Sequence, residues 1–294
     1  MYVKRFIITR LTIFTLIVLS AIIIISMLIV NVKWTLIMVI AALTYGFLSP
    51  VIAARRLYFL ASASPHSAML AAVLAIPLAR FIGVIDEYFY AIILGLFLTY
   101  IVGYLIYKGV DPDTATASFV AFTASASVLA IYYVLTSFPI EANIWAIIVG
   151  DPLLAGWNDV LYALIIASIT ITLVILTCRE QICMGIDKDY VKLAGVNVKV
   201  YDWVLFTLLG LATVALIRIV GFVLEHVLIL LPAAIATTVS ESAKGAMYLS
   251  IISSLIASIL GLHLAVFLGL APAGMTGLTL LTLYLVAMLT KRWK

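Results

Sequence analysis

Charge is what this chain has least of. Asp, Glu, Lys and Arg make up 10% of its 294 residues, against about 25% in a soluble domain, while 66% are apolar and mean hydropathy is +1.29. That balance excludes a water-soluble globule and also a disordered chain, which needs the opposite composition. Cysteine is nearly missing: Cys178 and Cys183 are the only two, which excludes a disulfide-stapled secreted module. Glycine shows no three-residue period, so a collagen-like chain is excluded. The phosphate loop Gly-x-x-x-x-Gly-Lys-Ser/Thr, Gly-x-Ser-x-Gly and His-Glu-x-x-His are all absent, so the chain carries no ATPase site of its own and none of these hydrolase motifs.

What is present is a series of long apolar runs, near 8–30, 34–54, 57–79, 88–107, 116–137, 159–178, 203–222, 223–240, 246–268 and 272–290. A helix needs about 20 apolar residues to cross the hydrocarbon layer. The alternation of an outer-membrane barrel is absent. The expected fold is therefore all-α, a polytopic integral membrane bundle of about 8–10 helices in the cell membrane, forming one domain over residues 1–294. The first run is too long for a signal-peptide core and is read as a span. The run 203–240 is long for one crossing and short for two, with Gly221 and Pro232 as break points.

Loop charges orient the bundle. Arg179, Lys188, Lys192 and Lys199 lie in 179–202, Lys4, Arg5 and Arg10 in 1–10, and Lys291, Arg292 and Lys294 in the tail, so these segments are expected in the cytoplasm. The stretch 138–158, with only Glu141 and Asp151 in its centre, is expected outside, as is the turn at 269–272. These assignments agree only if 203–240 makes two passes, or one pass plus a re-entrant pair, which puts both termini in the cytoplasm. Lys33, Arg80, Asp86 and Glu87 then fall outside. The net charge of +4 sits in the cytoplasmic segments, where it orients the protein and meets anionic lipid, and does not indicate nucleic acid. Cys178 and Cys183 read as reduced thiols beside the membrane.

Between spans, Asp187 is a good N-cap and Gly195 a good C′ residue, so the residues between them can form a helix of about two turns with Asp189 in its first turn. Tyr190, Val191, Leu193 and Ala194 give it an apolar side. So short a helix is unstable alone in water. It must rest on the lipid interface or its own bundle, or dock into the groove of a soluble partner.

The residues of this segment, Asp187-Lys-Asp-Tyr-Val-Lys-Leu-Ala-Gly-Val-Asn-Val, resemble the coupling segment of the permease subunits of metal-ion ABC transporters of the zinc/manganese/iron class. That family typically reads Asp-Pro-Glu-Phe-Ala-x-x-Leu-Gly-Val-x-Val there. Two further stretches are similar to the same family: Arg55-Arg56-Leu-Tyr-Phe-Leu-Ala-Ser-Ala-Ser-Pro-His66, and Val220-Gly221 through Pro232-Ala-Ala. Asp113-Thr-Ala and Gly150-Asp151 also fall where the family has similar residues. The likeness covers about 34–290, leaving residues 1–33 as an extra N-terminal span and 184–201 as the coupling segment. It implies a homodimer enclosing the pathway for a divalent metal ion, zinc or manganese, carried as substrate. It further implies a cytoplasmic ATP-binding subunit dimer that grips Asp187, Asp189, Tyr190, Leu193, Ala194 and Gly195, and an extracytoplasmic metal-binding protein that delivers the ion. ATP is bound by the partner, and no cofactor by this chain.

Ionisable groups inside spans are costly and therefore functional candidates. The family counterpart of His66 belongs to an Asp-x-x-x-His pair, one turn apart on one face, but here Ser62 stands for the Asp and Pro65 for a Ser. His66 either faces the pathway or bonds to neighbouring Ser. Glu225 and His226 are candidate replacements for the missing ligand, although adjacent helical residues point about 100° apart. If the chain turns near Gly221, this pair is expected near a membrane surface and solvated; otherwise it is buried and needs a partner. His263 is a weaker candidate. Two rivals remain: an ion-coupled secondary transporter, or a permease for a non-metal or chelated-metal substrate. An intramembrane enzyme lacks ligand spacing to support it.

Overall fold

The computed structural model describes the backbone of residues 2–138 and 152–292, and side chains at 15, 17–138 and 152–291. Glu141, Gly150 and Asp151 lie outside the described residues, as do the side chains of Lys4, Arg5, Arg10 and Arg292 and all of Trp293 and Lys294. The helices are α1 (Tyr2–Ile29), α2 (Val32–Ala54), α3 (Tyr58–Ile82), α4 (Glu87–Tyr107), α5 (Pro112–Ser137), α6 (Trp157–Ile186), α7 (Lys188–Leu193), α8 (Val198–Val239), α9 (Ala243–Leu268) and α10 (Pro272–Arg292), with a 3₁₀ turn at Pro152–Leu154. Eight of them, α2 to α6 and α8 to α10, are long and apolar enough to cross a membrane. In lipid every backbone polar group must be satisfied internally, which is why apolar runs of this length form helices.

Polar residues punctuate the helix ends. Asn31, Asp86, Asp111 and Ser242 each accept a hydrogen bond from a backbone N–H of the first turn, at 2.8–3.1 Å. Gly83 and Gly269 close α3 and α9 in the left-handed region. Inside the bundle, hydroxyls repair what proline removes. Pro50 cannot donate to the Gly46 carbonyl, and Ser250 Oγ of α9 donates to it instead at 2.9 Å. Pro65 likewise leaves the Ala61 carbonyl free, and Ser64 Oγ takes it at 2.8 Å. Close approach follows from small residues: a Cβ on Gly46 would lie 2.6 Å from Ser254 Oγ, and one on Gly95 2.1 Å from Val214.

α2, α3 and α8 form the centre, and α5 and α10 present most of their surface outward. α1 packs on α2 and α9 through Leu19 against Ala42 and Leu255. Straight, the 42 residues of α8 would extend about 60 Å, twice the roughly 30 Å hydrocarbon layer. The helix instead breaks at Gly221 (φ 77°, ψ 164°), a conformation essentially restricted to glycine. Its first limb runs antiparallel to α2, since Asp202 bonds to Arg55 and Ala212 receives Tyr45. Its second limb runs parallel to α2, with Ala233 N–H on Ser49 Oγ at 3.1 Å and Thr237 beside Tyr58. The chain therefore reverses at Gly221, and both ends of α8 lie at the end of the bundle that carries Arg55.

Candidate functional site

Two sets of residues stand out, one inside the bundle and one at its end. Inside, α3 brings His66 to His226 of the returning limb of α8, with ring centroids 5.4 Å apart and nearly perpendicular. Phe222 packs against both, 4.9 Å from His66 and 4.3 Å from His226. His66 Nδ1 is buried without a partner among the described residues. His226 Nδ1 lies 3.0 Å from the Phe222 carbonyl, and its ring also faces the Ser62 carbonyl. Ser62 donates its own hydroxyl back to the Phe59 carbonyl at 2.7 Å, and it carries no carboxylate.

Glu225 points elsewhere. It is fully buried, Oε1 accepts from the Tyr45 hydroxyl, and Oε2 has no partner among the described residues. The expectation that a turn at Gly221 would leave Glu225 and His226 solvated near a surface is therefore corrected for Glu225, while His226 is half-buried. The turn occurs, but Gly221 is itself buried, and α2, α3 and α10 enclose the returning limb. The 100° between adjacent positions sends Glu225 to α2 and His226 to α3. Among the described residues no group of three or more His, Cys, Asp or Glu comes close enough to hold a metal ion. One chain thus offers two imidazoles, and a His226 that donates Nδ1–H to the Phe222 carbonyl keeps its lone pair on Nε2. His263 bonds to the Ile259 carbonyl of its own helix at 2.8 Å and joins no other candidate. Cys178 and Cys183 are free thiols, the second exposed.

At the bundle end, α7 has the caps its sequence implies. Asp187 accepts from Tyr190 N–H at 2.9 Å. Gly195 (φ 86°) closes the helix, with Val196 N–H on the Val191 carbonyl at 3.3 Å and Gly195 N–H on that of Lys192 at 3.1 Å, the bonding of a Schellman turn. Val191 is buried against the bundle, whereas Tyr190 is 69% and Leu193 88% exposed. Asp189, Ala194 and Gly195 are also exposed.

The mooring of α7 was not visible in sequence. Asp202, on the first turns of α8, accepts from Arg55 at the end of α2 and from Lys188 of α7, the latter at 2.8 Å. Arg55 also donates to Gln181 Oε1, and Gln181 Nε2 donates to the Tyr201 carbonyl at 2.7 Å. Gly185 lets α6 touch the end of α2, where a Cβ would lie 2.0 Å from the Ala54 carbonyl oxygen. α2, α6, α7 and α8 are thus tied at one point.

Fold and site together define a multi-span membrane bundle that holds out one short, rigidly moored helix. Residues 26–291 match the ABC 3 transport family, and the chain belongs to it. It is 25% identical over 154 residues to the manganese transport system membrane protein MntB of Synechocystis, covering 52% of this chain and 50% of that protein. It is 24% identical to the corresponding MntC protein of Halalkalibacterium halodurans over 87% of this chain and 88% of that one. The chain spans about half the length of the first curated relatives it matches. Among solved structures, PsaBC from Streptococcus pneumoniae in complex with Fab has the same fold, with TM-score 0.76, 20% identity, and 91% of this chain and 95% of that chain covered. An inward-facing metal-chelate type ABC transporter also shares it, with TM-score 0.71, 12% identity, and 96% and 99% covered.

Proposed function

We propose that this chain is the membrane-spanning subunit of an ATP-driven importer in the cell membrane. It pairs with a second copy to enclose the pathway of a divalent metal ion, manganese or zinc, and is energised by a separate ATP-binding subunit. The observation that carries the reading is α7: its apolar residues Tyr190 and Leu193 project, while Asp202 ties it to α2 and α8. A partner gripping α7 would move those helices with it. Family membership and the manganese and iron names of its relatives support the substrate class, and they favour this reading over an ion-coupled carrier.

The α7 end then faces the cytoplasm, in keeping with Arg55, Arg56, Arg179, Lys188, Lys192 and Lys199 on it, and both termini lie on that side. α1 lies mostly before the family match and is read as an addition to the common bundle. An extracytoplasmic metal-binding protein delivers the ion at the other end. In the pathway, His66 and His226 of two copies would supply four imidazoles, enough for a borderline-soft divalent ion without a carboxylate. The absence of a carboxylate at Ser62 gives a second reading, a weakly held or chelated metal.

The test is metal-stimulated ATP hydrolysis by the complex reconstituted with its ATPase. We expect manganese or zinc to stimulate wild type and His66→Ala to lose most of that stimulation. Equal stimulation in both removes His66 from the pathway. If a chain lacking 187–195 still binds the ATPase, the coupling role of α7 is wrong.

A further inference from the structure

Behind α7 lies a cavity of about 740 Å³, lined in part by the mooring residues Arg55, Lys188 and Asp202. One wall is apolar, from Ile106 at the end of α4 and Trp203 and Phe206 of α8. Lys188 and Lys192, one turn apart on α7, also line the cavity, and Lys199 stands one turn before Trp203 on α8. Lys188 and Lys192 share the face of α7 opposite to the projecting Tyr190 and Leu193.

The charges do not cancel. Arg55, Lys188, Lys192 and Lys199 line the cavity against Asp189 and Asp202. Asp202 is spent on Arg55 and Lys188, one oxygen each. Asp189 is exposed in the first turn of α7, where the helix dipole favours it. Lys192 and Lys199 have no carboxylate in an ion pair among the described residues, and Lys199 lies over the Tyr107 ring at 4.8 Å. Near the rim, Asp111 and Asp113 flank Pro112, and Asp111 is engaged with Thr114 N–H and Oγ at 3.0 Å each. The cavity at the other end of the bundle, about 500 Å³, has the reverse balance, Asp86 and Asp159 against Arg218.

Depth matters as much as sign. The cavity sits where α4 ends and α8 begins, with Tyr107 and Trp203 at its walls, as aromatic residues sit at the edge of the hydrocarbon layer. Tyr104 and Tyr107 are half-exposed on the outer face of α4. A ligand there meets lysines on one side and acyl-chain surroundings on the other. Basic pockets between helices at the cytoplasmic face suit anionic headgroups.

We propose that this cavity binds an anionic phospholipid, its phosphate between Lys192 and Lys199 and an acyl chain along Ile106, Trp203 and Phe206. The bound lipid braces α7 from behind while its other face meets the ATPase; this last step rests on the coupling role of α7, and the binding does not.

Native mass spectrometry of the purified chain with equal phosphatidylglycerol and phosphatidylcholine tests the site directly. Wild type is expected to retain phosphatidylglycerol preferentially, and the preference to fall about fivefold for each of Lys192→Gln and Lys199→Gln. Lys244→Gln, outside the cavity, is expected to change nothing. An undiminished preference in the double variant, or an equal loss in Lys244→Gln, overturns the site. If the double variant loses ATPase association with its lipid preference intact, the cavity receives the partner protein and the proposal is wrong. In nanodiscs of phosphatidylcholine, adding phosphatidylglycerol is expected to raise ATP hydrolysis by the wild-type complex and not by the double variant; equal responses overturn the bracing role. Failure of any ATPase to bind wild type sinks the transport reading, while the lipid measurement still decides the site.

Discussion

Tyr45 and Asp202 each hold a charge-bearing neighbour that has few other partners. Tyr45 is the one side-chain donor among the described residues to Glu225, whose carboxyl is fully buried. Replacing Tyr45 by Phe leaves both carboxyl oxygens unpartnered, and an unsatisfied buried polar group costs about 1–3 kcal/mol. We expect Tyr45→Phe to lower the thermal midpoint in detergent and Glu225→Leu in the same chain to restore most of it; no loss in Tyr45→Phe would mean that Glu225 is satisfied by something else. Asp202 faces Arg55, whose side chain is 8% exposed. Asp202→Ala removes the carboxylate and leaves that guanidinium bonded to Gln181 Oε1, and since the pair is not sealed from water the loss is expected nearer ~2 kcal/mol than the ~3–5 kcal/mol of a fully buried pair. Asp202→Asn, which still accepts one bond, is expected to lose less, and chemical denaturation of the two variants checks the order.

Helices differ in how far they could be read before folding. α7 was legible almost to the residue, because its caps Asp187 and Gly195 are local chemistry. Its attachment was not, since Arg55 and Asp202 are 147 positions apart and nothing in either neighbourhood names the other. The spans followed from run length, and α8 declared its ambiguity through Gly221. The parity of the basic loops required 203–240 to return, and the contacts of Ser49 with Ala233 and Tyr58 with Thr237 show the return. What failed was the inference from turn to solvation: a reversal enclosed by neighbouring helices buries its residues, and enclosure is a tertiary fact. Likewise His66 and His226 meet only because the limb comes back along α3. Gly221→Ala puts a Cβ on a backbone with φ 77°, a strain of about 1–3 kcal/mol. That variant is expected to unfold earlier and to lose the proximity of the histidines, read as weaker cross-linking of cysteines placed at 66 and 226. Unchanged cross-linking would mean that the reversal does not depend on glycine.

At the scale of the molecule, the proposed function makes the bundle a lever and α7 its handle. Small residues and hydroxyls lock α2 to α9 and to α8, and α7 projects from the point where Asp202 joins it to α2 and α8. The central claim is that force applied to Tyr190 and Leu193 opens the pathway beside His66 and His226. It is tested most directly by ATP-dependent manganese uptake into proteoliposomes containing the complex, comparing wild type with Leu193→Asp, a change at an exposed position that leaves the bundle intact. The account expects ATP-dependent accumulation by wild type and its loss, with the ATPase no longer bound, in Leu193→Asp. Equal ATP-dependent uptake by both proteins, or uptake that an ion gradient drives without ATP, would contradict it.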